Sequence, residues 1–264
     1  MTYSVITKKD YFRAVRAEHP SGLDRMAGDL KHIQDMIMWE ALKDSRNISI
    51  VEAGGGSSRI LTALDRSNSL TNSDEFLGND GGPGTVTEIP GVKVHREKLG
   101  SMTLPAESAD VVFSISVIEH ITNTAALEAF FTDAYRILKP GGRTVHAIDM
   151  YMHETGKTGN ETVDNQLAYY RSRVRIIHDA VLKAGFQFVA APGIDMDRTF
   201  FRSDFASNSD LSMLKWDSWG TYFSELRLHS QVCSLFLDAV KPKQVPAETE
   251  QNIKSKSQKR RRSS

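Results

Sequence analysis

Ile48-Ser49-Ile50-Val51-Glu52-Ala53-Gly54-Gly55-Gly56-Ser57-Ser58-Arg59 puts an apolar strand, a glycine turn and a helix start in direct succession. Glycine lets a ligand come close to the backbone, and the first amides of a helix have no intrahelical partner, so the junction offers N–H groups to an electron-rich ligand. Outward from it the chain alternates. SSRILTALDR (57–66) reads as a helix, VKVHRE (92–97) and ADVVFSIS (109–116) as strands, and NTAALEAFFTDAYRIL (123–138) as a helix. RTVHAID (143–149) reads as a strand, LAYYRSRVRIIHDAVLKAG (167–185) as a helix, and FQFVAA (186–191) and HSQVCSLFLDAVK (229–241) as strands. Strands that are apolar throughout and separated by amphipathic helices imply an α/β fold, a parallel sheet covered on both faces. Ligands of such sheets bind outside the carboxyl ends of the strands.

Residues 7–46 read as helical, with Thr7 and Asp10 resembling a capping box and HPSG at 19–22 dividing the segment. Met26, Leu30, Ile33, Ile37 and Ala41 share one face. The domain plan is a helical cap over 1–46, a main domain over 47–241 and a tail over 242–264. The tail has almost no large apolar residue and ends near a KRRR run at 259–262, so disorder is expected.

The chain has 264 residues, 40% hydrophobic and 25% charged, with no net charge. Eight of the 33 basic and two of the 33 acidic residues lie from Lys241 onward, which leaves a body with 25 basic and 31 acidic residues. An acidic body argues against a nucleic-acid partner. No apolar run approaches the roughly 18 to 20 residues of a membrane span, and MTYSVITKKDYF lacks the apolar stretch of a signal peptide. A cytoplasmic location is therefore expected. Cys233 is the one cysteine, which excludes an internal disulfide and a multi-cysteine zinc site, and no His or carboxylate spacing supports a metal.

A dinucleotide turn wants glycines at positions that fall here on Gly54, Gly56 and Arg59, and the arginine argues against NAD. VEAGGGSSR instead resembles the acidic-x-Gly-x-Gly motif of class I S-adenosylmethionine-dependent methyltransferases, through Glu52, Gly54 and Gly56, with Gly55 between them. The resemblance continues with Asp74, twenty residues after Gly54, where the family carries the acid that binds the ribose hydroxyls; Glu75 is the alternative. Leu104-Pro105, Glu119-His120 and Leu138-Lys139-Pro140-Gly141-Gly142 also match, the last as a turn before a strand. Gly100 stands where many relatives have an adenine-binding Asp, which leaves that contact to Ser101, Glu97 or a backbone carbonyl, and Ser116 joins the cofactor-binding set. The family implies a Rossmann-like sheet of seven strands, mostly parallel with the last antiparallel, and S-adenosyl-L-methionine as cofactor.

An activated sulfonium methyl mainly needs an aligned acceptor, and an oxygen acceptor also needs a base. His120, Asp149 and His153, at the ends of two strands, are the candidates. The aromatic stretch 192–228, with Trp216, Trp219 and Tyr222, walls an acceptor pocket, buries a dimer face or packs a core. The expected function is methyl transfer to a small-molecule or glycan-like acceptor at oxygen. The alternatives are an RNA or protein methyltransferase tethered by the tail and a non-catalytic S-adenosylmethionine-binding module.

Overall fold

The computed structural model describes residues 3–6, 30–78, 82–152, 159–193 and 231–243, and singly residues 10, 13, 16, 20 and 23. The expected Trp216, Trp219, Tyr222 and His153, most of the 192–228 stretch and the tail from residue 244 lie outside the described residues.

Among the described residues eight strands form one sheet: β1 (Tyr3–Val5), β2 (Ser49–Ala53), β3 (Ser69–Asp74), β4 (Val92–Arg96), β5 (Ala109–Ile115), β6 (Leu138–Met152), β7 (Gln187–Phe188) and β8 (Gln231–Val240). The spatial order is β1-β8-β6-β5-β2-β3-β4, with β7 also on β8. Pairs among β2 to β6 are parallel, whereas β8 runs antiparallel to β6, β1 and β7. The chain goes from β2 outward to β3 and β4, then returns to β5 on the other side of β2. That reversal opens a crevice at the carboxyl ends of β2 and β5.

The mostly parallel sheet with an antiparallel last long strand is as expected, with one strand more. Tyr3–Val5, inside the segment read as a helical cap, pairs with Leu237, Phe236 and Leu235 of β8, so the N-terminus contributes a strand to the sheet. It also explains the short β7. FQFVAA pairs only through Gln187 and Phe188, opposite Val240 and Ala239, because β1 takes the next positions along that edge of β8.

Helices α1 (Leu30–Leu42), α2 (Arg59–Ala63), α3 (Thr124–Ile137) and α4 (Glu161–Lys183) cover the sheet. Leu127, Phe130, Phe131, Ala134 and Ile137 of α3, at helical spacing, are buried with Ile177 and Val181 of α4 on one face. Ile33, Met36 and Ile37 of α1 and Ile60 of α2 are buried on the other. Asn123 caps α3 through Ala126 N–H, and Asn160 caps α4 through the amides of Thr162 and Val163, starting it six residues before the expected LAYY. His146 is buried between Ser114 and Thr144, 2.8 and 2.6 Å away, and burial drives its pKa down to about 3, so the ring is neutral.

LKPGG, expected as a turn before a strand, is an irregularity inside β6. Leu138 pairs with Ala109 and Arg143 with Val111, and the extra residues loop out with Gly141 at φ +86°. A Cβ at Gly142 would lie 2.9 Å from the carbonyl oxygen of Lys139 and 3.0 Å from that of Asp110. Backbone atoms of two strands cannot easily yield. Gly142→Ala is therefore expected to destabilise the fold by about 2 kcal/mol in urea unfolding, a typical cost of overpacking; an unchanged midpoint would show that the bulge is pliable.

Candidate functional site

At the end of β2 the chain turns through Gly54 (φ +72°) and Gly56 (φ +49°) into α2. Both angles favour glycine, and a Cβ on Gly54 would come within 2.7 Å of a Val117 methyl. Ser58 caps α2, accepting from Leu61 N–H at 2.9 Å while its hydroxyl donates to Glu52. The Asn72 amide donates to Gly56 C=O at 2.8 Å. At the end of β3, Asp74 accepts from Gly56 N–H at 2.9 Å and from Phe76 N–H at 2.7 Å. The carboxylate thus ties the glycine turn to the chain leaving β3.

These groups line a cleft of about 500 Å³, within the usual range of a small-molecule site. The cleft brings together Glu52, Gly54, Gly55, Gly56, Asp74, Ser116 and His120. Glu75 also reaches it. Ser101 does not. It sits exposed on a turn, its N–H bonded to Lys98 C=O at 3.1 Å, because Gly100 (φ +89°) carries the chain over α3. Glu97, the other side-chain candidate for the adenine amine, is occupied by the hydroxyls of Ser73 and Thr103 and by Thr103 N–H.

Asp149 lies behind the cleft on β6, buried, where its Oδ1 accepts from Gln34 at 2.7 Å and from Ser116 Oγ at 3.2 Å. Burial raises its pKa. Its neighbour Glu119, on a 3-10 turn at Ile118–His120, is raised well above the usual range by burial and by the Asp149 charge.

Sequence reasoning missed what α1 supplies. Lys31 and Asp35 line the cleft, and Asp35 pairs with Arg59. The signal was present: Lys31, Gln34 and Asp35 recur at helical spacing in a helix whose other residues are apolar except His32 and Glu40, and Gln34 and Asp35 are buried. Arg59, noted only as a missing glycine, is thereby the anchor between α1 and α2.

Burial moves the Glu52 carboxyl up to about 8, against the opposing Ser58 hydrogen bond. Between about pH 4.5 and 8 the folded protein holds this proton while the unfolded chain releases it, so the stability from this group falls as pH rises through that window, by up to about 1.4 kcal/mol per pH unit. Glu52→Gln keeps an acceptor for Ser58 and removes the titration. The variant's urea midpoint is expected to gain on the parent's from pH 5 to pH 8; parallel curves would mean that Glu52 ionises normally.

Among the described residues, no three His, Cys, Asp or Glu side chains are grouped to hold a metal ion. No helix there is long and apolar enough to cross a membrane.

Residues 51–146 match the family described as a methyltransferase domain. No curated protein matches the chain. Solved structures similar to it include phosphoethanolamine N-methyltransferase 2 of Haemonchus contortus with S-adenosyl-L-methionine, 18% identical, covering 80% of this chain and 52% of that one, TM-score 0.49. The chain thus spans about half the length of that enzyme. Others are the YcgJ protein of Bacillus subtilis (11% identity, 81% and 100% coverage, TM-score 0.47) and geranyl diphosphate C-methyltransferase of Streptomyces coelicolor A3(2) (12%, 89% and 96%, 0.47). Residues 51–146, which take in the glycine turn at the switch point of the sheet, are thus similar to a methyltransferase domain.

Proposed function

We propose that the chain transfers a methyl group from S-adenosyl-L-methionine to a small-molecule or glycan-like acceptor at oxygen. The observation that carries this reading is one cleft into which the Gly54–Gly56 backbone and the Asp74 carboxylate both open. The residues suit the cofactor: a backbone cradle that a Cβ would obstruct, and a carboxylate at its rim. Asp74 would accept from the ribose hydroxyls with the lone pairs that Gly56 and Phe76 leave free. Lys31 and Arg59 bring positive charge to the wall formed by α1 and α2, suited to the amino-acid carboxylate.

Bound, the cofactor supplies an already activated methyl group. The protein's part is to hold the acceptor oxygen in line, keep water out and receive a proton. Asp149 is the proposed base, joined to the cleft through Ser116, with His120 at the cleft wall as the second candidate. His153 and the aromatic set Trp216, Trp219 and Tyr222 stay with the proposal as acceptor-side groups.

Calorimetry is the test. S-adenosylmethionine and S-adenosylhomocysteine should bind saturably and NAD should not, because Arg59 holds the position where a dinucleotide turn needs glycine. Saturable NAD binding with no response to the methionine derivatives would overturn the reading.

A further inference from the structure

Two carboxyl groups meet behind the cofactor cleft. Both side-chain oxygens of Glu119, on the 3-10 turn after β5, are buried, and the carboxyl hydrogen-bonds that of Asp149 near the end of β6. A hydrogen bond between two carboxyls needs a proton, and two buried negative charges in contact repel, so the pair holds one proton and one charge. The two groups then titrate as a unit.

On the side of α4 the pair is closed. Tyr169, Tyr170 and Arg173 pack over it and leave no room for a water molecule, and Arg173 Nη2 donates to the carbonyls of Ile118 and Ile121, 3.1 and 3.0 Å away. On the side of α1, Gln34 donates to Asp149 at 2.7 Å and to Ser234 Oγ of β8 at 2.9 Å, while Lys31 brings positive charge towards both carboxyls. Ser116 gives the proton a way out. Its Oγ lies 3.2 Å from Asp149 Oδ1 and 2.7 Å from Gln34 Oε1, and the residue lines the cleft together with His120. One hydroxyl therefore stands between the pair and a charge that enters the cleft beside Ser116.

We propose that the Glu119–Asp149 pair senses the charge of the methyl donor: S-adenosylmethionine in the cleft expels the shared proton, whereas neutral S-adenosylhomocysteine leaves it in place. This rests on the methyltransferase reading above, in which Asp74 takes the ribose at the end of β3 and the methionine end lies towards β5 and Ser116. A positive charge there favours the ionised form of a nearby acid. Asp149 is then freed to act as the base only while a sulfonium is bound. In the transfer the acceptor oxygen bonds to the methyl carbon, the sulfur–methyl bond breaks with its electron pair left on sulfur, and the hydroxyl proton passes through Ser116 to Asp149. The pair returns to one proton as the cofactor becomes a neutral thioether, so the attraction ends with the reaction.

The test is calorimetry of the full chain in phosphate and in Tris, whose ionisation heats differ, which counts the protons released on binding. At one pH or more between about pH 6 and 8.5, S-adenosylmethionine should release at least about 0.3 proton more per site from the parent than from Glu119→Gln. S-adenosylhomocysteine should give the same count with both proteins. Glutamine still offers an N–H to Asp149 but has no proton to lose, and subtracting the variant cancels the ionisation of the ligands, His120 and Lys31. Glu119→Met, close in volume and also without a titratable proton, is read in the same way should the glutamine variant fail to fold. Equal counts for S-adenosylmethionine in parent and variant, or the same excess with S-adenosylhomocysteine, overturn the sensing pair and leave the methyltransferase reading standing. Binding of neither ligand by the unaltered chain would remove both.

Discussion

Gly54→Val is expected to abolish S-adenosylmethionine binding, raising the calorimetric Kd at least a hundredfold. Two costs combine. The residue sits at φ +72°, where a side chain costs about 1 to 2 kcal/mol and a branched one more. Its Cβ would also lie 2.7 and 2.9 Å from the two methyls of Val117, at the start of the 3-10 turn that carries Glu119 and His120. Either the turn shifts into the cleft or Val117 is pushed off, and both deform the cofactor side. Gly159→Ala is the matched control. It has a similar strain, φ +88°, with nothing within 4 Å of a Cβ, and lies far along the chain from the turn. It should lose about 1 kcal/mol of stability and keep full affinity. A Gly54→Val protein that is folded by near-ultraviolet circular dichroism and binds normally would show that the cofactor does not meet this backbone.

What could be read in the sequence was what local chemistry decides. The β2 strand, the glycine turn and the helix at α3 follow from neighbours in the chain, whereas the antiparallel last strand was what the family resemblance implied. Long-range pairing was not legible. Tyr3–Val5 is three residues long and its partners lie more than two hundred residues downstream, so no periodicity announces it. LKPGG carries ordinary turn residues, and only its register against β5 shows that pairing resumes across it. The buried cluster behind the cleft was the least visible part. Glu119 was recognised as half of a motif, but that it is buried beside Asp149 and faces Arg173 depends on α4 packing over the 3-10 turn. Ser101, one of three alternatives for the adenine contact, stands apart from the cleft residues, because the Gly100 turn leaves its side chain on the surface.

Asp74→Ala should weaken S-adenosylmethionine by about 2 to 3 kcal/mol, a roughly 30- to 150-fold rise in Kd. Loss of charge-assisted bonds to the ribose accounts for part of this. The structure adds a second contribution, because the same carboxylate accepts from Gly56 N–H and Phe76 N–H and so sets the shape of the turn against which the cofactor lies. Asp74→Asn separates the two. An amide retains one carbonyl oxygen to hold one of these N–H groups but has lost the charge and one acceptor, so its affinity should fall between the parent and the alanine variant. Glu75→Ala is the register control, since Glu75 also lines the cleft but caps neither amide. If Glu75→Ala loses the affinity and Asp74→Ala does not, the ribose is held one residue further along, and Asp74 serves only to fasten the glycine turn to β3.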